Sequence, residues 1–136
     1  MKHWAKSYIG KPWARMARGP DSFDCWGLVY DVYKTHYNIE LPQNLIDPIH
    51  VKAYAMAINE GKDHPDWIEK DEPKEGYVVP LSKSRLFHHV GIWLDVDEGV
   101  ILHAHQGSCV VAQSMHSMKA HNWTKFKYYT HRKLQG

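Results

Sequence analysis

Cys25, together with a group of histidines further along the chain, has the makings of a covalent catalytic centre. A thiol of ordinary pKa, about 8.5, is only a few per cent ionised at neutral pH. A cysteine nucleophile therefore needs a site that favours the thiolate and an imidazole that takes its proton and later delivers it to a leaving amine. Cys25 stands where the pattern predicts the first residue of a helix, and there unpaired N–H groups and the positive end of the helix dipole stabilise a thiolate. His89 opens the run His89-Val90-Gly91-Ile92-Trp93-Leu94, and His103 and His105 close the run from Val100. Two residues apart on a strand, they share a face, so either can stand behind His89 from an adjacent antiparallel strand and fix its tautomer. Strand parity does not separate them. The chemistry indicated is acyl transfer through a cysteine–histidine pair, although a lone cysteine on an apolar helical stripe also fits a small core residue.

The elements that must position these groups are legible in outline. Asp24 or Ser22 can cap a helix on which Cys25, Leu28, Val29, Val32, Tyr33 and His36 recur at the spacing of one face. Residues 3–9 read as a short helix ended by Gly10 and Pro12, with a loop to Phe23. Leu41-Pro42 breaks the chain, and Asp47-Pro48 opens a second helix running through Tyr54 and Ile58 to Gly61. Residues 62–75 read as a connecting loop that could border a groove. From Gly76 the pattern changes to strand-type segments at 77–81, 89–94, 100–105, 109–113 and 126–132. Helices first and strands second predict an α+β class with N-terminal helices packed on a C-terminal antiparallel sheet. Without repeats or low-complexity tracts, residues 1–136 are expected to form one domain.

Composition excludes several function classes. The chain is 43% hydrophobic and 24% charged, near the globular average. Its formal charge of +2 comes from 17 basic and 15 acidic residues mixed along the chain, so nucleic-acid binding gains no support. The two cysteines form no C-x-x-C pair or disulfide framework. Cys109, in a short apolar segment, reads as structural. The first residues lack the apolar region of a signal peptide, and no apolar run reaches the length of a membrane span, so membrane insertion is not expected. His88-His89 and His103-Ala104-His105 could offer zinc ligands, but no helical H-x-x-x-H pattern or cysteine pair completes a site, and no metal is expected. His3, His36, His50, His64, His116, His121 and His131 read as surface or structural. The six tryptophans read as core or groove residues.

Three ordered segments together resemble the NlpC/P60 family, in its phage-tail-associated branch. Phe23-Asp24-Cys25-Trp26-Gly27-Leu28-Val29 resembles the nucleophile motif, His89-Val90-Gly91-Ile92-Trp93-Leu94 the base motif, and Val100-Ile101-Leu102-His103-Ala104 the segment with the third polar residue. The resemblance runs from about Tyr8 to Gln113. It implies a papain-like fold and a thiol mechanism without cofactor, with Cys25, His89 and His103 as catalytic residues. The implied substrate is a peptidoglycan stem peptide, often cut between γ-D-glutamyl and a diamino acid. His103 is preferred to His105, which falls about 7 Å further along a strand. His105, Trp13 and Trp26 are then expected to contact substrate. Asp24 is expected to cap the helix, and the Cys25 backbone N–H to stabilise an oxyanion.

The chain also departs from the family pattern. Trp13 stands where a tyrosine is common, Met16-Ala17 replaces a glycine pair, and Tyr77 follows Gly76 where an aspartate is common. Trp26 replaces a small residue and is the variant associated with phage tail proteins. That branch implies a virion tail or related injection particle acting at the cell wall, with other tail tip or hub proteins as partners. Partial protonation of the 11 histidines would help contact with an anionic wall. Two rival readings share the fold: a catalytically silent tail component, and an amidase or acyltransferase using the same residues.

Overall fold

The structure is a computed structural model that describes residues 3–43 and 51–134. A single-turn 3-10 helix, Trp4–Ser7, is capped by His3, whose ring nitrogen accepts the Ala5 N–H. It is shorter than the helix expected over residues 3–9, because the Tyr8 N–H returns to the Ala5 carbonyl and Gly10 then takes a positive φ. Helix α1 spans Cys25–His36, with Asp24 as its cap. Its stripe of Leu28, Val29, Val32 and Tyr33 is fully buried. Helix α2 spans Val51–Lys62, and its expected start at Asp47-Pro48 lies outside the described residues.

The strands are β1 (Trp67–Lys70), β2 (Val78–Ser82), β3 (His89–Leu94), β4 (Val100–Ala104), β5 (Val110–Gln113), β6 (Lys125–Phe126) and β7 (Tyr128–His131). They pair antiparallel in the order β1-β7-β2-β3-β4-β5, with β6 also on β2. Helix α3 (Met115–Ala120) links β5 to β6. The α+β class and antiparallel sheet are those the sequence predicts. Helix α1 packs on β3 and β4. Val78, Val90, Ile92, Leu94, Leu102, Ala104 and Val110 join its core, while Val79, Leu81, Trp93 and Ile101 meet Met118 and Trp123 on the opposite face. With both faces covered, the central strands read as continuous apolar runs rather than alternating ones.

Four details correct the sequence reading. Residues 67–70, expected within a loop, form edge strand β1, paired with β7 from Trp67 opposite His131 to Lys70 opposite Tyr128. Three of its four side chains are exposed, so cross-strand hydrogen bonds hold it without a hydrophobic pattern. Helix α3 was not expected, since six residues with one buried side chain, Met118, show no periodicity. β4 ends at Ala104 and β5 begins at Val110, which leaves His105 and Cys109 outside the strands, and Cys109 half-buried in a turn-flanking position. The segment at 126–132 divides at Lys127 into β6 and β7.

Close approach dictates one residue of α1. The loop before the helix folds onto its first turn, where the Asp24 N–H donates to the Ala17 carbonyl at 3.1 Å. A Cβ on Gly27 would lie 1.9 Å from that same Ala17 oxygen. Alanine ordinarily stabilises a helix interior over glycine by roughly 0.5–1 kcal/mol. Gly27→Ala should reverse the sign and lower the urea midpoint sharply, while Gly61→Ala in α2, where a Cβ meets nothing within 4 Å, should leave it unchanged or raise it. A Gly27→Ala protein as stable as the parent would show that the loop does not seat on the helix.

Candidate active site

The position of Cys25 follows from a backbone tether. Gly10 donates to Val110 O at 2.9 Å, Val110 to Lys11 O at 2.8 Å and Trp13 to Ser108 O at 2.9 Å. On the other side of the same segment, Phe23 donates to Pro12 O and Ala14 to Phe23 O, each at 3.1 Å. The residues just before α1 are thereby laced to the beginning of β5. Register carries the link onward: Val110 pairs with Ala104, and Leu102 with Ile92. The start of β5, the end of β4 and the start of β3 lie at one end of the sheet. Cys25, two residues beyond Phe23, enters at the end where His89 stands, and is buried at 5% exposure.

The first turn of α1 is held by a shared carboxylate. Asp24 Oδ1 accepts the Gly27 N–H at 2.7 Å and the Arg18 Nη1 at 2.8 Å, and Arg18 also donates twice to the Gln43 carbonyl. Burial pushes the Asp24 carboxyl up from its usual range, against the downward pull of the Gly27 N–H and the Arg18 guanidinium. Asp24 is thus a cap and an ion-pair partner.

His89 and His103 meet directly. His89 Nε2 lies 2.9 Å from His103 Nδ1, with the rings 5.0 Å apart at 83°. β4 can come this close because the facing residue of β3 is Gly91, where a Cβ would lie 2.8 Å from Leu102 O and 3.1 Å from His103 Cβ. His103 Nε2 is 2.7 Å from Gln113 Oε1 on β5, and Gln113 Nε2 donates to Ser117 Oγ on α3 at 3.0 Å. The Trp123 indole stacks on His89 at 5.1 Å and also on His88 at 5.3 Å. Burial drives the His89 pKa well below the ordinary histidine value, and His103, His88, His105 and Lys83 push the same way. Burial likewise lowers His103 to about 4, although its Gln113 hydrogen bond opposes the shift. Both rings are neutral at pH 7.

Of the two histidines that strand parity left equivalent, His103 is the one bonded to His89. His105 is exposed, with its ring 6.1 Å from that of His103. Trp13 is half-buried on the tether. Trp26 donates to Pro42 O at 2.8 Å and lines, with Leu41, Val78 and Val90, a cavity of about 470 Å³ on the α1 side of the sheet. Gln113, Ser117 and Trp123 were missed by sequence reasoning. A glutamine ending a short strand and a tryptophan after an unforeseen helix carry no local signal. Among the described residues no three His, Cys, Asp or Glu side chains are grouped to hold a metal, and no helix is long and apolar enough to cross a membrane.

The profile of the NlpC/P60 family matches residues 10–131. The chain belongs to this family. Its fold is the papain-like α+β fold of NlpC/P60 domains. It superposes on the crystal structure of the NlpC/p60 domain of the peptidoglycan hydrolase SagA with a TM-score of 0.61 at 21% identity, covering 91% of each chain. A second solved structure, a lipoprotein-like NLP/P60 family protein from Staphylococcus aureus, gives a TM-score of 0.55 at 21% identity, covering 90% of this chain and 38% of that one. No curated protein matches the chain. Peptidoglycan hydrolases of the NlpC/P60 type are in general cysteine peptidases, and this domain carries a cysteine and a histidine pair at one end of its sheet.

The depressed histidines set a direction for pH dependence. An unfolded histidine titrates near 6.5, so below that pH the unfolded chain binds protons that the NlpC/P60 fold excludes. The stability that neutral His89 and His103 contribute is present above about pH 6.5 and is lost as pH falls toward the folded value of about 4 for His103. Melting temperature should fall through that window, and less steeply in His103→Asn. An equal slope in both proteins would mean that His103 is not buried neutral.

Proposed function

We propose that this NlpC/P60 domain is a cysteine endopeptidase that hydrolyses an amide bond in peptidoglycan stem peptides. The observation that carries the reading is the buried, neutral His89–His103 pair at the sheet end where α1 begins with Cys25. His89 Nε2 is engaged by His103, which leaves Nδ1 as the nitrogen open to a thiol. In the acylation step the Cys25 proton passes to His89 Nδ1 as Sγ bonds to the scissile carbonyl carbon. Backbone N–H groups at the start of α1, that of Cys25 first, take up the oxyanion charge. The C–N bond then breaks, and the departing amine takes the proton from His89. Water then attacks the thioester carbonyl and gives a proton to His89, the C–S bond breaks, and His89 returns the proton to Sγ, leaving a carboxylic acid and the restored thiol.

His103 orients the base through the acylation and deacylation steps, and Trp123 covers one face of the ring and keeps water from it. The bond cut is γ-D-glutamyl to diamino acid, as the family resemblance suggests. The cysteine–tryptophan variant of the nucleophile motif supports carriage in a phage tail or a related injection particle, among other tail proteins.

Incubation with purified peptidoglycan, followed by mass spectrometry of the soluble products, should show new amines on the diamino acid. Cys25→Ala should abolish this and Cys109→Ala should retain most of it. His103→Ala should lower kcat on the order of 100-fold, and His105→Ala much less. Cleavage by a folded Cys25→Ala protein, or glycan release without stem-peptide cutting, would overturn the assignment. Proteomics of purified particles should detect the chain, and its absence there would remove the proposed route of delivery.

A further inference from the structure

The hydrogen bonds behind His89 form a line in which each link constrains the next. Gln113 Oε1 faces His103 Nε2 at 2.7 Å, His103 Nδ1 faces His89 Nε2 at 2.9 Å, and the far end of the glutamine amide faces Ser117 Oγ at 3.0 Å. A carbonyl oxygen only accepts, and a neutral imidazole has one donor nitrogen and one acceptor nitrogen. Opposite Gln113 Oε1, His103 must carry its proton on Nε2 and keep a lone pair on Nδ1. His89 must then donate from Nε2, so that its Nδ1 holds a lone pair. With the amide reversed every link inverts: Gln113 donates to His103 Nε2, His103 donates from Nδ1, and His89 is left with a proton on Nδ1. A base with a proton at that nitrogen cannot take one from a thiol.

We propose that Gln113, anchored by Ser117, is the positioning residue that selects the base-competent tautomer of His89. The inference rests on the reading of His89 as the base and adds to it a residue that touches neither substrate nor nucleophile. The part of Ser117 is to hold the glutamine side chain in place. The Ser114 hydroxyl accepts the Ser117 N–H at 3.1 Å and starts α3, and that first turn brings the Ser117 hydroxyl to Gln113. Helix α3, too short to add much to the core, thereby supplies the outermost bond of the line. A carboxylate in the same place would accept the same Nε2 proton while raising the His103 pKa, whereas the uncharged amide fixes the tautomer without adding charge beside the buried ring.

Nitrogen NMR of protein labelled with 15N-histidine distinguishes the two tautomers without any substrate. In the parent at pH 7, His89 should be protonated on Nε2 and bare on Nδ1, and His103 should show the same pattern. Gln113→Met, which keeps the bulk of the side chain and removes the acceptor, should give mixed or reversed tautomers at both rings. Its kcat should fall about tenfold or more, with KM within about twofold. Ser117→Ala should give a smaller shift in the same direction, and serves if Gln113→Met fails to fold. Parent His89 protonated on Nδ1, or tautomers unchanged in both variants, would overturn the proposal. The expected tautomers in a protein that cuts no stem peptide would sink the peptidase reading alone, and cleavage with tautomers indifferent to Gln113 and Ser117 would sink this inference alone.

Discussion

The start of α1 has to be held against the end of the sheet where β3 begins, and the hydrogen bonds that hold it there govern what surrounds them. The extended stretch 10–14 is laced on one side to Ser108 and Val110 and on the other to Phe23. Asp24 then closes the first turn while tied to Arg18, and Gly27 leaves room for the Ala17 carbonyl. These contacts are short-ranged and mutually dependent. The Asp24–Arg18 pair is largely buried, and removing one partner from such a pair costs several kcal/mol. A sulfur at the first residue of α1 is consequently fixed by backbone and cap geometry, and its own packing need contribute little.

The histidines at the same end of the sheet are kept in a state that is unfavourable in acid. Burying two imidazoles excludes water and lowers both pKa values. Each buried nitrogen then needs a partner, because an unsatisfied one costs about 1–3 kcal/mol. The line His89, His103, Gln113 and Ser117 meets that need for three of the four ring nitrogens, His89 Nε2 and both of His103, using one residue from each of β3, β4, β5 and α3. Gly91 permits the close approach of β3 and β4 on which the first link depends. Stability and site organisation are therefore coupled at these residues, since a change that frees either ring leaves buried polar atoms unpaired.

The site has different surroundings on the two sheet faces. Trp26, the chain neighbour of Cys25, and Val90, the neighbour of His89, both line the cavity between the sheet and α2. His89 itself is covered by Trp123, against the second apolar cluster. Alternation along β3 explains the split, because successive side chains leave opposite faces of a strand.

Local signals in the order of residues account for part of the architecture. The cap at Asp24, the stripe from Leu28 to Tyr33, the antiparallel strands around His89 and His103, and the ordered motifs that mark the NlpC/P60 family could all be read from residue types and spacing. Edge strand β1 and helix α3 could not, because one is held by the backbone of β7 and the other is a single capped turn and a half with one buried side chain. The choice between His103 and His105 lay beyond periodicity for the same reason, since parity places both on one face. Only the end of β4 at Ala104, and the register that sets Leu102 opposite Ile92, bring His103 rather than His105 against His89. Gln113, Ser117 and Trp123 belong wholly to the tertiary structure, because hydrogen bonds and ring stacking between side chains from separate elements exist only once the sheet has assembled.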